Sequence, residues 1–250
     1  MLGLPDGVAA ALFDLDGVLT DTATVHAEAW AEAFDSFLAH HAASTGESAR
    51  EFSRWDYLAY VDGKPRADGV RDFLAARGIA LPEGGLDDPP GLDTVHGLGN
   101  LKNRFLLERI GRNGADVYHG SLRYLEAARG AGLRRAVVSS STNCGEVLES
   151  TGLAWLMQAR VDGLTVQQMG LQGKPAPDAF LEAARRLDVA PAQTAVFEDA
   201  LSGVAAAKDG GFGFVVGVDR SDQGAALLAH GADVVVTDLA DLLVLEAAAA

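Results

Sequence analysis

Asp14 and Asp16 stand two positions apart in LFDLDGVLTDT, where a short apolar run ends in two carboxylates and a glycine. On an extended backbone, residues so spaced project to the same side, so the two acids face one place. Carboxylates paired at the tip of a buried strand lose hydration and repel each other, unless a cation or a reaction offsets both costs. Acting on one substrate, they could serve as a nucleophile and an acid/base group. Glu198 and Asp199 end a second apolar run, TAVFED, and Ser139 ends a third, RRAVVS; Lys174 lies between Gly173 and Pro175 in GKPAPDAF.

An all-oxygen set suits Mg²⁺, a hard cation that takes few protein carboxylates and completes an octahedron with water and substrate phosphate. Asp14, the main-chain carbonyl of Asp16, and Asp199 would supply that set, with Glu198 bound to the ion or just beyond it. A phosphoryl group attacked by a carboxylate spreads negative charge in its transition state, so the site needs a metal and donors. Lys174 and the Ser139 hydroxyl are the candidate donors. Each residue also has a plainer reading. Asp16, Ser139 and the Glu198-Asp199 pair are all placed to cap helices, and a loop lysine is commonly solvated. Gly173 and Pro175 fix the backbone around Lys174. Capping, moreover, does not require all these residues to meet at one edge of a sheet.

The elements that would bring them there follow from the apolar pattern. AALF (10–13), RRAVVS (134–139), TAVFED (194–199), FGFVVGV (212–218) and DVVV (233–236) read as strands, alternating with Ala- and Leu-rich helical stretches. The pattern predicts an α/β fold, a Rossmann-like doubly wound parallel sheet, whose ligands gather at the carboxyl ends of the strands. Residues 22–95 break the alternation. Val25, Ala29, Ala33 and Phe37 recur at helical spacing with Trp30, Phe34 and Leu38 beside them, so an α-helical cap is expected there, inserted into a core of 1–21 and 96–250. LPEGGLDDPPGLD (81–93) reads as an irregular loop in or beside that insert.

The 250 residues carry 20 Lys and Arg against 35 Asp and Glu, a formal charge of −15, with no basic block interleaved with aromatics. Nucleic acid and anionic membrane are not expected partners. The opening MLGLPDGVAA has no basic segment, and no apolar stretch has spanning length, so the expected location is cytoplasmic. The one cysteine, Cys144, closes no intramolecular disulfide and reads as a buried packing residue, a nucleophile being the alternative.

FDLDGVLTDT, VVSSSTN, GKPAPDAF and VFEDALSGVAAAKDGG, in this order across nearly the whole chain, resemble the four signature motifs of the haloacid dehalogenase-like superfamily. The resemblance implies that Asp14 is the nucleophile that becomes an aspartyl-phosphate and Asp16 the general acid/base. It also implies Mg²⁺ at Asp14, Asp16 and Asp199, and Lys174 as the neutralising cation. Dehalogenase members lack the second aspartate of the first motif, so Asp16 points to phosphoryl transfer.

The insert looks like the helical cap of the subgroup that contains β-phosphoglucomutase. DTATVHAEAW resembles the segment that places His26 and Trp30, the histidine there coupling cap closure to the acid/base aspartate; Trp30, four residues on, could equally anchor its helix. GKPR (63–66) resembles a cap loop with Gly63 and a phosphate-gripping Arg66, and GNLKN (99–103) a segment with a cap lysine, Lys102. Ser141 and Asn143 match positions that contact the second phosphate. Where the family commonly has Lys-Gly, this chain has Asp62-Gly63, with lysine displaced to Lys64. An acid there bears on sugar orientation or cap closure. The implied activity interconverts β-glucose 1-phosphate and glucose 6-phosphate through a bisphosphate, in a monomer whose partner is a small phosphorylated sugar. A sugar-phosphate phosphatase is the alternative within the same chemistry, and a non-catalytic sugar-phosphate-binding regulator the alternative outside it.

Overall fold

A computed structural model describes residues 2–46 and 50–244. The chain forms two compact units, 1–21 with 115–250, and 22–114.

The first unit is built on six parallel strands in the order β3-β2-β1-β4-β5-β6. They are β1 (Ala10–Phe13), β2 (Arg134–Val138), β3 (Ala159–Val161), β4 (Thr194–Glu198), β5 (Phe214–Val218) and β6 (Val234–Val236). β1 lies inside the sheet and is buried along its whole length, which is why AALF carries no polar residue. Its side chains alternate between two cores. Ala11 and Phe13 pack in one and Ala10 and Leu12 in the other, as the two-residue period of a strand requires.

Among the described residues the second unit holds four α-helices, α1 (Ala23–Thr45), the single turn α2 (Arg54–Asp56), α3 (Arg66–Ala76) and α4 (Val95–Asn113), with a π-helical turn, Tyr57–Val61, after α2. The remaining helices cover the sheet. α5 (His119–Gly130), α6 (Cys144–Ser150) and α11 (Ala240–Val244) pack on the face of Phe13. α7 (Gly163–Met169), α8 (Asp178–Leu187), α9 (Leu201–Asp209) and α10 (Gly224–His230) pack on the face of Leu12. β1 is the topological switch point, with β2 and β3 to one side and β4, β5 and β6 to the other.

The five expected strands are all present. β3 was not anticipated: three residues with a charged Arg160 at the centre carry no strand pattern, and neighbouring β2 supplies the pairing.

The helical unit has its own core, in which Trp30, Ala33, Phe34, Phe37 and Leu38 of α1 meet Phe73 of α3 and Leu98 and Leu101 of α4. Of the expected stripe on α1, Ala29, Ala33 and Phe37 are buried with Trp30, Phe34 and Leu38 beside them, while Val25 is half-buried. The boundary expected near 95 is corrected. Val95, Leu98 and Leu101 belong to the helical core, so α4 stays with that unit, and the chain returns to the sheet only after Gly114. Residues 81–93 form the irregular loop, tied to α4 by Asn100 Nδ2, which donates to the carbonyls of Leu86 (3.1 Å) and Asp88 (2.8 Å). Among the described residues no helix is long and apolar enough to cross a membrane.

Candidate active site

Strand register brings the acids together. Phe13 of β1 pairs with Val137 on one side and with Phe197 on the other. One step further along, Asp14, Val138 and Glu198 therefore lie side by side, and the Asp14 N–H continues the ladder by donating to the Phe197 carbonyl at 2.9 Å. Lys174 touches all three. Its Nζ lies 2.6 Å from Asp14 Oδ1, 2.6 Å from Glu198 Oε1 and 3.2 Å from the Val138 carbonyl. The solvated-lysine reading fails, since the Lys174 side chain is 1% exposed.

Burial opposes the charge of Lys174, but the two carboxylates outweigh it and hold the ammonium above its ordinary range. Asp14 moves the other way in energy. Burial, with repulsion from Glu198 and Asp16, pushes its carboxyl well up in spite of Lys174. One cation thus faces several carboxylates, and the excess negative charge calls for another positive partner.

Glu198, expected on the ion or just beyond it, has both carboxylate oxygens hydrogen-bonded within the protein. Its Oε1 is taken by Lys174, its Oε2 accepts from the Ala200 N–H at 2.8 Å, and it is wholly buried. Gly203 makes room for it, because a β-carbon there would lie 1.8 Å from Oε1. Asp199 turns toward the first loop instead: a β-carbon on Gly17 would lie 1.9 Å from its Oδ2. Among the described residues no three His, Cys, Asp or Glu side chains form a ready cage. Such a cage is not what a small hard cation needs. Asp14, the Asp16 carbonyl and Asp199 are hard oxygen donors, and together they fit a divalent ion that keeps sites for water and phosphate.

Ser139, 2% exposed, extends the β2 ladder through its N–H to the Val161 carbonyl (3.0 Å). Its Oγ lies 3.4 Å from Asp16 Oδ2 and accepts from the Ser141 N–H at 3.1 Å. Ser141 Oγ in turn accepts from the Asn143 N–H at 3.2 Å, so this relay of turns holds both residues at the edge where Asp14 ends its strand. Cys144 is completely buried in the core, and burial followed by the nearby acids pushes its thiol well up; it is a packing residue.

In the helical unit, His26 Nδ1 lies 3.1 Å from Lys102 Nζ, and Lys102 also sits 5.1 Å from the Trp30 ring centroid. An ammonium only donates, so Nδ1 accepts and the ring proton of a neutral His26 is on Nε2. Arg66 begins α3 and lays its stem over Gly99, where a β-carbon would approach its Cγ to 3.0 Å. Gly99 and Lys102 share a face of α4. Burial draws the Arg66 guanidinium below its ordinary value. Gly63 has φ of 71°, and Lys64 is bound to Asp72 at 2.7 Å, so the displaced lysine has a partner within its own unit.

The sequence reading passed over Gly17 and Arg220. The first stands in the sequence as the glycine after DLD; the second follows the end of β5, at the edge where β1, β2 and β4 end at Asp14, Ser139 and Glu198.

The sequence model of the haloacid dehalogenase-like hydrolases matches residues 8–211. A Mycobacterium bovis protein named β-phosphoglucomutase is 56% identical over 97% of this chain and 94% of the relative. A Bacillus subtilis protein of the same name is 33% identical over 93% of this chain and 91% of that one. The crystal structure of β-phosphoglucomutase from Clostridium difficile superposes with a TM-score of 0.73 at 24% identity, covering 94% of this chain and 93% of the other, a likeness of fold.

Proposed function

The chain belongs to the haloacid dehalogenase-like hydrolases, and from that premise we propose that it is a β-phosphoglucomutase, interconverting β-glucose 1-phosphate and glucose 6-phosphate through β-glucose 1,6-bisphosphate. The observation that carries the chemistry is Lys174, bonded at 2.6 Å to both Asp14 and Glu198 at the carboxyl edge of the sheet.

In this reading Lys174 holds Asp14 Oδ1 and leaves Oδ2 to attack phosphorus. The bond from phosphorus to the sugar oxygen breaks, and Asp16 hands that oxygen a proton. Applied at C1 of β-glucose 1,6-bisphosphate, that step releases glucose 6-phosphate; in the other half-reaction Asp16 takes the proton of the C6 hydroxyl of an incoming β-glucose 1-phosphate, which takes the phosphoryl group from Asp14 and re-forms the bisphosphate. Ser139 donates to the phosphoryl oxygens as charge builds on them, and Lys174, beside Asp14, neutralises that charge. Mg²⁺, held by Asp14, the Asp16 carbonyl and Asp199, would neutralise charge on the transferring group. By the resemblance to the mutases, Ser141 and Asn143 in the sheet unit and Arg66 and Lys102 in the helical unit are the residues for the sugar phosphate, and His26, an Nε2–H donor when neutral, is the residue that couples cap closure to the acid/base aspartate. A phosphoenzyme of this kind must exclude water long enough for a sugar hydroxyl to arrive.

The test is a Mg²⁺-dependent assay on β-glucose 1-phosphate, with and without β-glucose 1,6-bisphosphate, following glucose 6-phosphate and free phosphate together. Bisphosphate-stimulated formation of glucose 6-phosphate is expected. Phosphate as the sole product would make the enzyme a phosphatase instead.

A further inference from the structure

Arg220 comes from the loop after β5 and reaches across the sheet edge to the loop that carries Asp16. Its Nε donates to the Gly17 carbonyl at 2.9 Å, and its Nη1 donates to the Thr237 carbonyl at 2.6 Å. The guanidinium lies over the Tyr118 ring, 3.7 Å from the centroid, and Tyr118 donates its hydroxyl to Asp21 at 2.8 Å. Nη2 is buried with no hydrogen-bond partner among the described residues, so the group is not the fully satisfied staple of an ordinary structural arginine.

The loop that presents Arg220 is itself fixed. Asp219 accepts from the N–H groups of Ser221 (3.1 Å), Gln223 (2.9 Å) and Gly224 (2.9 Å). At the other end, the Gly17 N–H donates to the Thr20 carbonyl at 2.8 Å, so Gly17 is held from both of its peptides. The peptide before Gly17 carries the Asp16 carbonyl. Gly17 itself lies against Asp199.

We propose that Arg220 is a positioning residue for the cation site: by clamping Gly17 it sets the direction of the Asp16 carbonyl and its spacing from Asp199. The inference rests on the phosphoryl-transfer reading above. It requires a guanidinium, since one ammonium cannot bond two carbonyls through a rigid fork while lying over a ring.

Mg²⁺ binding to the whole protein, measured by isothermal titration calorimetry, tests this separately from turnover. Arg220→Lys keeps the positive charge and removes the fork, which separates geometry from electrostatics. Its Mg²⁺ affinity should fall by roughly tenfold, as losses in outer contacts to metal ligands do, and kcat should fall while KM for the sugar phosphate holds. Tyr118→Leu, which leaves both Arg220 hydrogen bonds but removes the ring and its hydroxyl bond to Asp21, should shift Mg²⁺ affinity in the same direction by less, and Tyr118→Phe, which keeps the ring, should not shift it. Wild-type Mg²⁺ affinity in Arg220→Lys overturns the proposal. If the unaltered protein neither binds Mg²⁺ nor forms glucose 6-phosphate, it is the functional reading that fails.

Discussion

Lys174 and Glu198 are joined at 2.6 Å with both side chains withdrawn from solvent, and the same ammonium reaches Asp14. Removing one member of a buried ion pair strands the other charges, which typically costs about 3–5 kcal/mol. Lys174→Met should therefore be destabilised by about that much in urea unfolding. Its kcat should fall by at least about 10²-fold, the usual scale for a lost transition-state donor. Lys174→Met combined with Glu198→Gln should regain part of the stability and none of the activity. A stable, active Lys174→Met protein would show that the lysine is only a packing group.

Gly17 has φ of 89°, and the space a β-carbon would enter holds the Asp199 carboxylate, 1.9 Å away at its nearest oxygen. Gly17→Ala therefore meets backbone strain of about 1–3 kcal/mol. It also displaces Asp199. Because Asp199 is a proposed ligand, the Mg²⁺ concentration needed for half-maximal activity should rise far more than the KM for sugar. A Mg²⁺ titration at saturating β-glucose 1-phosphate measures both. An Asp199 that simply rotates away, leaving Mg²⁺ dependence unchanged, would remove it from the ligand set.

Lys102 donates to His26 and covers the Trp30 ring, so its loss leaves Nδ1 of the imidazole free to take the ring proton. Lys102→Met should lower kcat by about 10²-fold, within the range for general acid-base contributions, and should raise free phosphate relative to glucose 6-phosphate. Lys102→Arg should recover less than half of that loss, because the planar fork cannot occupy the place of a compact ammonium. Product ratios measured in one reaction decide it; unchanged partition would confine Lys102 to structure.

The site was legible in the sequence where chemistry and strand ends coincide. Asp14, Ser139 and Glu198 each follow or finish an apolar run, and a parallel register places such ends together. The pairing of Arg220 with Gly17 was not legible, although the glycine itself stands after DLD, because its meaning lies in a contact between positions 203 residues apart. The two places left open for Glu198, on the ion or just beyond it, were not separable in the sequence for a related reason. Composition identifies a carboxylate, but only packing shows that both its oxygens are already taken. The helical unit's second boundary was missed because α4 begins where the loop chemistry ends. Only its buried Leu98 and Leu101 reveal which core it joins.

Away from the site, Glu182 offers a test of the fold's electrostatics. Its side chain is 6% exposed and bonds Arg185 Nε at 2.6 Å and Arg186 Nε at 2.7 Å. The Arg185 hydrogen bond, opposed by burial and aided by Arg186, brings its carboxyl from 4.5 down to about 2. A depressed carboxylate stabilises the folded chain fully above its unfolded value and loses that contribution as pH falls toward the folded one. Both arginines reach solvent, so the contribution is about 1 kcal/mol rather than the whole shift converted to energy. Glu182→Gln should accordingly unfold at lower urea than wild type at neutral pH, and the two midpoints should approach each other as pH drops below 4.5. Added salt should narrow the gap at neutral pH as well, since charges this close to the surface are screened. A gap that held constant from neutral pH to well below 4.5 would mean that Glu182 contributes through packing of its methylenes rather than through its charge.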